Sequence, residues 1–121
     1  MLGVGAAAVM LGTAFLPCPE AGTPEPHKRA LLTPMNERTA LTTSFSGRPA
    51  RGMVNRYMEE LAGVELAPFP VLNTMTRGLR GAAAKAGRTE FMSLWAGQGA
   101  PLCRALPAAE LVATLVEEMG A

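Results

Sequence analysis

The sequence predicts an α/β fold that is mostly helical, with one or two strands, and three observations predict it. Residues 6–15 read AAAVMLGTAF, and as a strand Ala6–Leu11 presents apolar side chains on both faces, the pattern of a buried parallel strand. About four segments carry helical periodicity or capping signals, and together they fill half the chain. A Thr-rich stretch, Thr39–Phe45, alternates weakly and fits an extended segment. A lone parallel-type strand needs neighbours on both edges, so the inventory is expected to be the C-terminal portion of something larger.

The first element ends at Gly12-Thr13. Glycine lets the backbone approach a ligand closely. The N–H groups of Gly12, Thr13 and Ala14, with the Thr13 hydroxyl, are expected to hold a phosphate where a short helix opens. Met1–Leu16 is apolar but lacks the positive start of a secretory signal. It is also shorter than the roughly 18–20 residues that span a bilayer.

Pro17 and Pro19 break regular structure, and Thr23-Pro24-Glu25 reads as a helix start, with a short helix to about Leu32. Ser46-Gly47-Arg48-Pro49 is a turn signal after the extended segment. Met53, Val54, Tyr57, Met58 and Leu61 recur at helical spacing, with Gly63 as terminator. Ala67–Pro70 is a linker. A longer helix follows, with Val71, Leu72, Met75, Leu79, Ala82, Ala83 and Ala86 as its apolar stripe and Gly87 at its end. Ser93–Gly99, SLWAGQG, reads as an irregular loop. Pro107 opens a final helix whose Leu111, Val112, Leu115, Val116 and Met119 share a face.

Composition bounds the function. The chain has 121 residues, 49% of them hydrophobic and 17% charged, and a net charge of +1. That is ordinary for one domain able to bury a core, and it offers no basic face for nucleic acid or an acidic membrane. Cys18 and Cys103 form no CxxC pair, which fits reduced thiols in the cytoplasm and implies neither zinc nor a disulfide framework. Met53, Met58 and Met75 fall on apolar stripes as core fillers. His27 is read as a surface residue, and Arg48 and Arg51 as partners of nearby acids. Trp95 is read as a core anchor with Gln98 capping backbone. No group stands ready to activate a hydroxyl of the Thr42–Ser46 stretch as a nucleophile.

GAAAVMLGTAF, then RTALTTSFSGRPARGMVNRYMEEL, then FMSLWAGQG, in that order, resemble the C-terminal part of the nitronate monooxygenases, formerly called 2-nitropropane dioxygenases. The resemblance implies an FMN-binding TIM (β/α)8 barrel. It also implies oxidation of alkyl nitronates, the small-molecule substrate, with dioxygen. Ala6–Leu11 then becomes the last barrel strand within 1–16, residues 23–121 become C-terminal helices and loops, and Gly12-Thr13 the turn that grips the FMN phosphate. Phosphate sites after strands seven and eight are common in such barrels. Met10, Leu11, Gly12 and Thr13 are assigned to FMN binding. Met10 stands where the family usually has Gln and lacks its hydrogen-bonding amide.

The family's catalytic histidine and its isoalloxazine-contacting Asn and Gln match nothing in this sequence, so no catalytic residue and no metal ligand is assigned, and the chain is expected to be inactive alone. Two alternatives stand beside this one: a non-catalytic remnant or helical interaction module, and a fragment of an FMN-dependent enoyl-ACP reductase on the same barrel.

Overall fold

The structure, a computed structural model, describes residues 2–120. Its regular elements are α1 (Glu25–Leu31), β1 (Thr39–Thr42), β2 (Ala50–Met53), α2 (Arg56–Glu60), α3 (Val71–Lys85) and α4 (Ala108–Glu118). Short 3-10 turns precede and separate them, among them Thr13–Phe15 before α1 and Thr89–Phe91 after α3.

The Thr-rich segment pairs with β2 in an antiparallel hairpin whose register runs from Thr39 opposite Met53 to Thr42 opposite Ala50. The connecting turn requires Gly47, whose φ of +87° is a left-handed conformation, and a Cβ there would lie 2.8 Å from the Pro68 carbonyl carbon. The other edge of β2 is covered by the SLWAGQG segment: Met53 N–H donates to Leu94 O at 2.8 Å and Ala96 N–H to Arg51 O at 3.2 Å. The segment read as an irregular loop thus acts as a third, bridge-length strand, with Gly52 opposite Trp95.

Met53 and Val54 were expected on a helix and are not. Met53 belongs to β2, and the helix begins only after Asn55, whose side-chain oxygen accepts from Met58 N–H at 3.2 Å. An Asn in extended conformation that caps the next turn separates strand from helix more sharply than the apolar spacing does.

Two clusters make the core. Leu31 of α1, Met53 of β2, Ala83 of α3, Met92 and Leu94 form the larger one. Phe45, Tyr57 and Met58 form the second, backed by Trp95, so Trp95 does anchor the core. Helix α3 has the expected span but a different inward face. Leu72, Thr76 and Ala83 are buried, whereas Met75 is 69% exposed and Leu79 also faces out. Thr76 turns inward because its hydroxyl donates to Phe45 O at 2.6 Å, and it brings Arg80, one turn on, with it. Met75 is therefore no core filler, unlike Met53 and Met58.

Ala6–Leu11 forms no strand in this chain. The hairpin is the one ladder among the described residues, and no strand lies alongside 6–11 to take its backbone groups, so the segment is left to solvent, Met10 at 99% exposure. Its apolar side chains instead border a groove of about 910 Å3, closed on the far side by Val112, Leu115, Val116 and Met119 of α4. Of the apolar face expected on α4, Leu111 is buried, while Val112, Val116 and Met119 stay exposed along that groove. No helix among the described residues is long and apolar enough to cross a membrane.

Candidate functional site

Gly12 and Thr13 open the 3-10 turn Thr13–Phe15, which is held by Phe15 N–H to Gly12 O and Leu16 N–H to Thr13 O, each at 3.1 Å. The N–H groups of Gly12, Thr13 and Ala14 have no acceptor among the described residues. Gly12 has φ −107°, open to any residue, and a Cβ there would meet nothing within 4 Å. Its value to the site is therefore the bare approach it leaves to the backbone.

Thr13 is clamped from two sides that sequence spacing does not reveal. Its hydroxyl oxygen accepts from Gly97 N–H at 2.9 Å, and its carbonyl accepts the Cys103 thiol at 3.4 Å. Burial, and secondarily the proximity of Cys18, pushes the Cys103 thiol up from the usual cysteine value, so the sulfur keeps the proton it donates. Because the Thr13 oxygen is already an acceptor, its own hydroxyl proton is directed elsewhere. Gly97 and Cys103 are thus supporting residues; the paired glycines of AGQG were their one signal in the sequence. Met10 and Leu11 are brought to the groove beside α4 and not to Thr13's clamp, and Gln98 is exposed.

His27 is not on the surface. It is 6% exposed, and its Nε2 hydrogen-bonds to Trp95 O at 3.1 Å. The expectation failed because α1, though short, packs His27, Ala30 and Leu31 inward. The bond ties α1 to the segment that also holds Gly97. Burial lowers the His27 pKa below 6.5, partly offset by the bond to Trp95 O. The unfolded chain therefore takes up a proton below pH 6.5 that the folded chain refuses. Stability complete above that pH is lost as pH falls from 6.5 toward the folded pKa, with a slope of at most about 1.4 kcal/mol per pH unit. Urea midpoints taken between pH 7.5 and 5.5 are expected to fall in the wild type and to stay level in His27→Gln across that window.

Arg48 and Arg51 contact no acid among the described residues. The Arg48 guanidinium lies over the Phe69 ring, 4.1 Å from its centroid, and Arg51 donates to Thr39 O and Oγ1 across the hairpin. Both are structural, through partners other than the expected carboxylates. Among the described residues no group of three or more His, Cys, Asp and Glu side chains could hold a metal ion.

A family model for nitronate monooxygenase matches residues 1–118. The nitronate monooxygenase of Pseudomonas aeruginosa is 46% identical over 121 residues, covering 98% of this chain and 34% of that protein. That of Paraburkholderia phytofirmans is 41% identical, covering 98% and 33%. Among solved structures, a nitroalkane oxidase from Streptomyces ansochromogenes superposes with a TM-score of 0.92 at 50% identity, covering 98% of this chain and 34% of that one. The chain spans about a third of the length of the relatives it matches. On these matches the chain belongs to the nitronate monooxygenase family.

Proposed function

We propose that this chain supplies the FMN-phosphate turn of an enzyme that oxidises alkyl nitronates with dioxygen, as the C-terminal part of a TIM (β/α)8 barrel whose last strand is Ala6–Leu11. The observation that carries the reading is the turn itself: N–H groups at Gly12, Thr13 and Ala14 with no acceptor among the described residues, beside a Thr13 hydroxyl whose oxygen is held by Gly97. These donors fit a phosphate monoester, which takes hydrogen bonds on several oxygens at once. FMN, when bound, supplies the redox chemistry. The chain's own part is to grip and orient: Gly12 admits the phosphate to the backbone, Thr13 donates to it, and Gly97 and Cys103 fix Thr13, while Met10 and Leu11, which border the groove beside α4, are assigned to the flavin on the family resemblance alone.

An exposed apolar segment with unpaired backbone is what a barrel strand becomes without its neighbours, which supports the assignment of Ala6–Leu11. The matched relatives carry the name nitronate monooxygenase, which favours this activity over enoyl-ACP reduction. The test is a chimera in which this chain replaces the matching third of the Pseudomonas aeruginosa protein. Thr13→Val removes both the hydroxyl donor and the acceptor of Gly97 N–H, and is expected to weaken FMN retention about tenfold or more, ~1.4 kcal/mol. Flavin absorbance per polypeptide after gel filtration checks it, and undiminished flavin in Thr13→Val would remove Thr13 from the site.

A further inference from the structure

A second cleft, of about 270 Å3, lies between α1, α3 and the 92–93 segment, and neither Gly12 nor Thr13 lines it. His27, Arg77, Arg80, Gly81 and Ser93 line it, and no carboxylate does. Arg29, Arg38, Arg56, Arg88 and Arg104 each meet a glutamate, but Arg77 and Arg80 meet none among the described residues. Arg80 is held entirely by neutral acceptors: Thr76 Oγ1 at 3.0 Å, Ser93 Oγ at 3.1 Å, and Asn73 O and Oδ1 at 3.0 and 2.8 Å. Burial pulls its guanidinium below the ordinary arginine value; Tyr57 opposes this, and the like charge of Arg77 adds to it.

Two further features describe the cleft. Ser93 Oγ accepts from Arg80, so its own proton is left to donate into the cleft. Gly81 sits in the interior of α3, where glycine costs about 1 kcal/mol against alanine, yet a Cβ there would meet nothing within 4 Å. A side chain at position 81 would therefore project into open space at the edge of the cleft.

We propose that this cleft binds a phosphate-type oxyanion, with Arg77 and Ser93 as its donors and Arg80 as a fixed second charge. Two uncompensated arginines match the roughly −1.5 to −2 charge of a phosphate group near pH 7 better than the single charge of a carboxylate. The proposal does not rest on the flavin turn, since neither Gly12 nor Thr13 lines the cleft.

The test uses the full 121-residue chain labelled with nitrogen-15, titrated with inorganic phosphate at constant ionic strength, with sodium chloride as balance. The expected result is a saturable change at the Arg77, Arg80 and Ser93 resonances, weakened at least ~tenfold in Arg77→Gln and abolished in Gly81→Leu. Leucine is a better helix former than glycine, so Gly81→Leu fills the cleft without unfolding α3. Methyl phosphate in a parallel titration separates the sources: equal binding assigns the site to the phosphoryl group of an ester, weaker binding to free phosphate. Shifts that stay linear in phosphate, that persist in both variants, or that acetate reproduces at equal concentration would overturn the proposal.

Discussion

Phe45→Ala is expected to destabilise the folded chain by about 3–5 kcal/mol, the range for deleting a fully buried phenylalanine. The ring is 0% exposed and stacks on Tyr57 with centroids 4.9 Å apart, while Trp95 meets it edge-on at 5.1 Å. Aromatic pairs of this geometry add about 0.5–1.5 kcal/mol beyond area burial. The turn at Gly47 holds Phe45 in place from one side, and the Thr76 hydroxyl, bonded to Phe45 O, from the other. Collapse into the cavity is therefore limited. A chain of this size has about 5–15 kcal/mol in all, so the loss is a large fraction of it. Trp95 is the sole tryptophan and touches the mutated ring, so its emission follows urea unfolding directly. Met75→Ala, on the exposed stripe of α3, is the matched control and is expected to change stability by no more than about 0.5 kcal/mol.

Asn55→Ala is expected to cost about 3 kcal/mol, nearly as much, through polar groups alone. The side chain is buried; its oxygen caps α2 at Met58 N–H, and its amide donates to Thr89 O and Met92 O, both at 2.9 Å. Loss of the cap accounts for about 1 kcal/mol, and two carbonyls left without a donor for most of the remainder. Asn55→Ser separates the parts: a serine hydroxyl still caps α2 but is too short to serve Thr89 and Met92. Its expected loss lies between zero and that of Asn55→Ala. Equilibrium urea denaturation measures both variants against the wild type, and an Asn55→Ala loss below about 1 kcal/mol would mean that these bonds are easily replaced by water.

Local chemistry was legible where a residue type dictates a conformation. Gly47 marked the hairpin turn, Gly87 the end of α3 and Pro107 the start of α4. What misled was apolar spacing without knowledge of the partner. Met53 fits a helical stripe with Tyr57, yet the Asn55 cap lies between them and puts Met53 in β2. Met75 and Leu79 fit the apolar face of α3, yet Thr76 and Arg80 turn inward because Phe45 O and Ser93 Oγ need their donors. His27 carries no sequence mark of burial; its partner is a backbone oxygen 68 residues away. The turn at Gly12-Thr13 was visible in the sequence, but its clamp was not, since Gly97 and Cys103 lie 84 and 90 residues further on. Ala6–Leu11 shows the same limit: its apolar character was plain, yet it forms no strand, and none lies beside it among the described residues.

The flavin content of the chimera with the unmutated chain tests the central claim most directly. Placed in the Pseudomonas aeruginosa framework, residues 1–121 are expected to give a yellow protein that retains about one FMN per polypeptide through gel filtration and consumes dioxygen when an alkyl nitronate is added. A chimera that folds cooperatively, as judged by a single urea transition in far-ultraviolet circular dichroism, yet carries no flavin would contradict it.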